Sequence, residues 1–554
     1  MHLESFCKLE SKYNKYILFI LLFFNFFLSL NALPPLDRDE SRYLQSTTQM
    51  IETNDYINIK FLDTARVKKP PGIYWLQAGT VHIAKEIFFL EKIPVWVYRL
   101  PSAIGATIAV WLTLLIGKTL FNKKVGFIAA LLLMSTPLVI VESHIAKTDS
   151  VLLACVLFPL LALAKIISVS DLKEKKISDS FVYWAWFILG ISLLIKGPIG
   201  LLIVFLTIIS LKLSKINFKF SYLKIRKGVF YFFLGSLPCL IWLYHVDTGH
   251  FVQQSIVNDM LMKVIKGQES HGAYPGFYLI TSLLSCWPIS LFLIPLFLWV
   301  YKNIRDKKIV FLLSWLVPAW IIFEFIPTKL SHYILPLIPS LSILTAAMIV
   351  DIKKNDFSFL KNRIYKALLY FLSLTPIILG GLILYIDQRF LGNNSAYSLI
   401  VALIYFITFI TSLYFLFKNN YLFSGILHSF TNIVCLSIML IFIFPNLKSL
   451  WVSEQIYEYV SKHKIQRSVV LMGYSEPSAV FRLGSDTYIA NNVDEAFTRM
   501  KNGKKNLLII ESKFEKEFLE KEKLNNLILF KHNKIIKGLN YSKGKNVLLS
   551  IYSN

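Results

Sequence analysis

The stretch YILFILLFFNFFLSLNALPPLDRDESRYLQ, residues 16–45, begins as an almost unbroken apolar run and ends in a knot of acids and bases. About eighteen apolar residues suffice for a helix to cross the ~30 Å hydrocarbon layer of a bilayer. The charged residues Asp37, Arg38, Asp39 and Glu40, with Arg42 and Tyr43 behind them, therefore stand where the chain leaves the membrane. The apolar run has the basic flank of a signal peptide in Lys8, Lys12 and Lys15, but SLNALPP is a poor small-residue cleavage site, so it is read as a retained first span.

Working outward, similar runs recur at 95–118, 125–143, 149–168, 181–195, 197–213, 228–246, 277–300, 309–326, 332–350, 366–386, 397–417 and 421–446. Of the 554 residues, 55% are hydrophobic and 44 are Phe. A soluble core stops growing well before this length, so lipid must be the solvent for much of the chain. The expected architecture is a polytopic α-helical membrane protein of about thirteen spans. The net charge of +25 raises nucleic acid as a partner. However, the Lys/Arg-rich segments GKTLFNKK, SDLKEKK, LKLSKINFKFSYLKIRK, YKNIRDKK and DIKKNDFSFLKNRIYK all fall in alternate loops, on the side of the N-terminus. That is the positive-inside pattern, and it accounts for the charge without nucleic acid. An odd number of spans puts the C-terminal segment on the opposite, extracytoplasmic face.

Three regions follow. Residues 34–94 form a first outer loop whose mixture of aromatics, aliphatics and charges suits helices lying in the interface. The membrane helices complete a domain over 1–446. From 447 to 554 the composition becomes that of a soluble domain: RSVVLMG, DTYIA, NLLIIES, NLILF and NVLLSIY read as strands. EPSAVFRLG, VDEAFTRMKNG and FEKEFLEKEKL read as helices between them, giving a small α/β domain. Its first turn, LMGYSEPS, has no G-x-G-x-x-G, so no nucleotide site is expected there. The five Cys lie in or beside expected spans and suggest neither a disulfide nor a zinc framework.

The outer loops collect ionisable groups: LDRDESRY and DTARVKKPPGIYW in the first, then ESHIAKTDS, LIKGPIG, the long segment around VNDMLMKVIKGQESHGAYPGFYL, and FIPTKLSHYILP. Each has a plain structural reading. The acids of DRDE favour a helix start, Pro70 and Pro71 hold Lys68 and Lys69 extended, and Asp149 suits an N-cap. Lys196 reads as a snorkelled turn residue, and His332 and Tyr333 as interface anchors. Ionisable groups at membrane depth are costly, so the convergence of several on one face points to a polar cavity.

Taken in order, DRDESRY, KKPPGIYWLQA, HIAKTD, LLIKGPIG, HGAYPGFYL and TKLSHYILPLIP, with GYSEPSAVFRLG in the outer domain, resemble the bacterial relatives of the protein O-mannosyltransferases, in particular the enzymes that add aminoarabinose to lipid A. The resemblance implies a GT-C glycosyltransferase with an outward-facing site. Its donor would be a sugar on polyprenyl phosphate, and its acceptor lipid A or another glycan. Asp39 matches that family's first-loop carboxylate, with Asp149 and Glu40 as further acids. Lys69, Lys263, Lys329 and the phenol of Tyr333 would meet the donor phosphate; Arg42, Tyr43, Lys68, His332 and His271 would support them. Lys68 stands where the aminoarabinose transferases have Glu, so no metal or other cofactor is expected. A protein O-glycosyltransferase and a lipid-linked sugar flippase are the alternatives. Transporters show paired halves and broken helices, and no internal repeat is visible here.

Overall fold

The computed structural model describes residues 13–66, 69–90, 92–169, 177–216, 218–246, 272–352, 363–463, 468–502, 506–525, 529–532 and 534–554. Among these, nine helices are long and apolar enough to cross a membrane, two bent helix pairs each add a span, and two shorter apolar helices, Tyr16–Phe26 and Ile199–Leu213, join them. These segments fall on the thirteen expected runs, and the chain is a polytopic helical membrane protein.

Two of those runs are not straight spans. Residues 125–143 divide into the helices Lys123–Met134 and Pro137–Ser143, bent by 67°. Pro137 has no N–H to continue the preceding hydrogen-bond ladder. Residues 277–300 divide at Trp287 and Pro288 into Phe277–Ser285 and Ile289–Lys302, bent by 115°. After the first bend, Glu142 lies at the end of the helix Pro137–Ser143, and Gly276 and Leu279 at the start of the second pair donate backbone N–H bonds to Glu324 at 3.0 and 3.1 Å.

Helix packing follows the small residues. The helices Asp179–Lys196 and Ile225–His245 run against each other where Gly190 meets Gly235. A Cβ on Gly235 would lie 2.0 Å from the Phe187 carbonyl oxygen, and one on Gly190 2.2 Å from that of Phe232. Close backbone approach of this kind is how helices associate when lipid removes the hydrophobic drive between them.

The loop after the first span folds into the helices Asp39–Thr53 and Gly72–Phe88, joined through a short hairpin of Lys60–Phe61 and Thr64–Ala65. The second helix leaves Ile83, Ile87 and Phe88 exposed, followed by Phe89 at 84% exposure, as a helix lying in a membrane interface should.

The C-terminal segment forms a mixed sheet. Strand Ser468–Met472 pairs in parallel with Tyr488–Ala490 and Asn506–Glu511. Lys545–Ser553 then runs antiparallel to Asn506–Glu511. It also pairs with Phe530–Lys531 and forms a hairpin with Ile536–Asn540. The strand Ile536–Asn540 and the helix Val452–Lys462 are not among the expected elements. The strand carries Gly538, which weakens a strand signal, because a Cβ there would sit 2.5 Å from the Ser449 carbonyl oxygen. Of NLILF, residues 526–528 lie outside the described set, and Phe530 begins the strand Phe530–Lys531.

Candidate active site

The knot of charges after the first span separates into distinct destinations. Glu40, 1% exposed, points inward and meets Arg99, which is fully buried. Arg99 donates from Nε to Glu40 Oε1 at 2.8 Å and from Nη2 to Oε2 at 2.9 Å. Its other N–H groups reach the carbonyls of Leu30, Leu33 and Pro34 at 2.7–3.0 Å. Glu40 also accepts the backbone N–H of Leu36 at 2.8 Å and of Ala146 at 2.9 Å. Both carboxylate oxygens are thus fully engaged. Glu40 braces the loop, with no lone pair left for a substrate proton.

Asp39, one residue earlier, turns about 100° around the helix, the step set by 3.6 residues per turn, into a polar cleft. Solvent reaches it although protein crowds around it. Burial alone would raise its carboxyl, but Lys147, Arg66, His332 and Lys69 outweigh that and hold it below the ordinary carboxylate range. Asp39 is therefore an anion throughout the neutral range.

Around it, Lys147 Nζ lies 3.3 Å from Glu142 Oε1, and His332 Nδ1 lies 3.8 Å from the same oxygen. Glu142 Oε2 is buried and has no hydrogen-bond partner among the described residues. Burial disfavours the Lys147 ammonium, but Glu142, Asp149 and Asp39 together raise its pKa, keeping it charged. Asp149 begins the helix Asp149–Val169 and accepts from Lys196 Nζ at 2.5 Å. That ammonium also lies 5.7 Å from the Tyr333 ring centre. On the loop side Arg66 Nε donates to the Tyr74 hydroxyl at 2.9 Å and its guanidinium lies 5.4 Å from the Tyr43 ring centre. Burial, then Tyr74 and Asp39, push the Tyr43 phenol well above its usual value, so it stays protonated as a wall of the cleft.

The structure thus brings together Asp39, Asp149, Lys69, His332, Tyr333 and Tyr43 of the expected residues. Arg42 stands one residue before Tyr43 and acts electrostatically on Tyr74. Lys329 is drawn elsewhere: its ammonium donates to the carbonyls of Phe323 and Glu324 at the end of the helix Lys307–Phe325. Its charge there satisfies helix-end acceptors. Lys68, Lys263 and His271 lie outside the described residues. Sequence reasoning passed over Glu142, Lys147, Arg66, Tyr74 and Arg99, and read Lys196 as a snorkelled turn residue. Glu142 and Lys147 belong to the same ESHIAKTDS segment as Asp149, and a lysine and acid at one exit face were the available signal. Among the described residues no three His, Cys, Asp or Glu side chains gather as a metal-binding group.

Comparison with known proteins bears on the fold that carries these residues. Residues 68–242, which carry KKPP, HIAKTD and KGP, match the family described as dolichyl-phosphate-mannose-protein mannosyltransferase. An undecaprenyl phosphate-alpha-4-amino-4-deoxy-L-arabinose arabinosyl transferase of Wigglesworthia glossinidia brevipalpis is 26% identical over 406 residues, 70% of this chain and 67% of that one. A second, from Pseudomonas fluorescens, is 25% identical over 66% of this chain and 62% of its own length. The crystal structure of ArnT from Cupriavidus metallidurans bound to undecaprenyl phosphate superposes with a TM-score of 0.72 at 15% identity, covering 98% of both chains. The protein is a membrane glycosyltransferase of the GT-C fold. The same fold recurs in the archaeal oligosaccharyltransferase AglB of Archaeoglobus fulgidus, at a TM-score of 0.51 and 12% identity over 91% of this chain and 70% of that one. The match to ArnT runs through the C-terminal α/β domain of this glycosyltransferase as well as its membrane helices.

Proposed function

We propose that the chain transfers a sugar from a polyprenyl phosphate, such as undecaprenyl phosphate, to a lipid A or lipopolysaccharide-type acceptor at the outer face of the cytoplasmic membrane. The observation that carries this reading is the Asp39 carboxylate, exposed at the start of its helix and set among the cations Lys147, Arg66 and Lys69. In the reaction an acceptor oxygen bonds to the anomeric carbon, the bond from that carbon to the phosphate oxygen breaks, and the bonding pair leaves with the lipid phosphate. Positive charge grows on the sugar and negative charge on the phosphate. Asp39 stabilises the first and takes the proton when the acceptor is a hydroxyl. With a phosphate acceptor no proton moves, and Asp39 acts through its charge alone. Lys69, the Lys196–Asp149 pair and the Tyr333 phenol face the departing phosphate, where charge-assisted hydrogen bonds are the strong ones. Lys263 and Lys68, by sequence, add to the same positive field. The positive charge is supplied by side chains, and the reading includes no metal.

The test is transfer by the purified protein, given a panel of undecaprenyl-phosphate sugars and lipid A, with products read by mass. A sugar-sized gain on lipid A together with free undecaprenyl phosphate, lost in Asp39→Asn and Lys69→Ala, supports the reading. Labelled lipid that crosses proteoliposomes intact, with no sugar released from any donor, overturns it in favour of a flippase.

A further inference from the structure

A second concave site lies at the far end of the two outer-loop helices. A cavity of about 300 Å³ is bounded by Thr48, Ile51 and Glu52 of the first helix, Val81 and Lys85 of the second, and Lys92, Ile93 and Tyr98 at the start of the first long span. The outer domain closes it with Tyr457, Phe481 and Arg482. Its volume is at the lower end of the ~300–1,000 Å³ usual for small-molecule sites.

The lining is sorted by chemistry. The floor is rigid: the Tyr98 hydroxyl hydrogen-bonds Thr48 Oγ1 at 2.8 Å, and the Phe481 ring meets the Tyr98 ring edge-on with centroids 5.8 Å apart. Arg482 is fixed by Glu454 at 2.8 Å, and its guanidinium lies 5.2 Å from the Tyr457 ring centre. Lys85 and Lys92 are exposed at the rim. With Arg482 paired to Glu454, the cations of the lining left unpaired among the described residues are Lys85 and Lys92, against one acid, Glu52, which already accepts from Ser485 Oγ at 2.6 Å. Aromatic faces beside an excess of positive charge suit a sugar ring bearing a phosphate.

Its position supplies the second half of the argument. Lys85 follows Val81 by four residues, and the exposed Phe88 and Phe89 follow Lys85 by three and four, so these side chains share one side of the helix end while Ile83 and Ile87 lie nearly opposite. The exposed Phe88 and Phe89 rings offer an apolar surface beside Lys85. A lipid whose tails lie against them would bring its head group to Lys85 and Lys92. Both helices also start at the transfer site: Asp39 opens the first, and the second follows Lys69 and the two prolines. From Asp39 to Thr48 is nine residues, about 14 Å along the helix axis.

We infer that this groove, formed by Lys85, Lys92, Arg482, Tyr98 and Phe481, is a binding site for the phosphorylated head group of a membrane lipid, separate from the site of sugar transfer. The inference rests on the membrane architecture and not on the transfer reaction. Two lipids carry that chemistry, a phosphorylated glycolipid such as an acceptor and an ordinary anionic phospholipid.

The test is a binding measurement that needs no catalysis. The full-length protein is placed in phosphatidylcholine nanodiscs doped with either lipid A or phosphatidylglycerol. Lipid retained after detergent extraction is counted by native mass spectrometry. The variants are Lys85→Ala/Lys92→Ala and, as a control, Lys516→Ala/Lys523→Ala on the exposed face of the outer domain. The expected result is that the groove variant retains at least five-fold less doped lipid than the wild type while the control retains as much. A loss confined to lipid A identifies a glycolipid site, and an equal loss of both identifies a general anionic-lipid site. Equal retention by wild type and groove variant, or an equal fall in the control, overturns the inference.

Discussion

The buried pair of Glu40 and Arg99 makes a demanding prediction. Arg99 uses all its N–H groups, and Glu40 accepts four hydrogen bonds, two of them from backbone. Replacing Arg99 by Met leaves an uncompensated carboxylate at a site that is almost closed to water. Breaking a buried ion pair by removing one partner costs about 3–5 kcal/mol. In many proteins the loss is recovered when both partners become apolar. Here it should not be, because Arg99→Met with Glu40→Met also strands the carbonyls of Leu30, Leu33 and Pro34 and the N–H groups of Leu36 and Ala146. Each such group costs about 1–3 kcal/mol when buried unsatisfied. The double variant should therefore be no more stable than Arg99→Met alone. The assay is thermal unfolding in one detergent, followed as the folded fraction on size exclusion, with transfer activity measured per folded molecule. Glu40→Gln keeps the shape of the side chain and should lose stability while each folded molecule keeps most of its activity. A Glu40→Gln protein that folds like the wild type but has lost a hundredfold or more in kcat would make Glu40 a catalytic acid and refute the bracing role.

Other predictions concern the surrounding structure. Burial raises the Asp37 carboxyl from 3.8 to about 6 against the opposing bond from Ser478 Oγ, and Glu476 adds to the rise. Because the folded value is raised, this group's contribution is full below about pH 4 and is lost as pH climbs through 6. Protease nicking between the membrane domain and the outer domain should increase over that window, and Asp37→Asn should flatten the profile. Lys196→Met removes the cation that holds Asp149, and should lower kcat per folded molecule by about 10²-fold, the scale of one preorganised electrostatic contact; an unaltered kcat would remove the pair from the mechanism. Gly235→Ala places a methyl against the Phe187 carbonyl and should cost about 1–3 kcal/mol, the usual cost of overpacking, seen as a lower melting temperature with an unchanged KM for the donor.

How much of this was legible in the sequence depended on whether the signal was local. Apolar runs are local, and all thirteen reappear in the structure. The bends were not seen because a run of apolar residues has the same hydropathy whether or not Pro137 interrupts its hydrogen bonds. The site was legible as a set of outer segments but not as a set of pairs. Lys196 reads as a snorkelled lysine until Asp149, 47 residues away, is placed beside it. Arg99 was hidden in the apolar segment VWVYRLPSA, although an arginine just inside a span needs a partner. That partner, Glu40, was taken for a catalytic acid because it stands next to Asp39. Neighbours in sequence on a helix face different ways, and only the fold says which way is inward.

That geometry accounts for the crowding of charges where the chain leaves its first span. Asp37 accepts from Ser478 and its backbone N–H reaches the Tyr541 hydroxyl, tying the loop to the outer domain. Arg38 sits at a φ of 67° and donates to the Ser542 carbonyl at 3.1 Å. A positive φ is uncommon for an arginine, and its cost is tolerated where the surroundings over-determine it. The turn at Arg38 starts the helix, so that Asp39 faces the cleft and Glu40 the interior. In the proposed reaction four consecutive charges thus have four tasks: docking, turning, chemistry and bracing. The first, second and fourth fix the position of the third. A carboxylate on a mobile loop would have to be ordered anew at every turnover, and effective catalysis by a charged group depends on its being held in place before the bond breaks. The outer domain, by gripping Asp37 and Arg38, is therefore part of what positions Asp39, even though none of its own residues is among those that shift the Asp39 carboxyl.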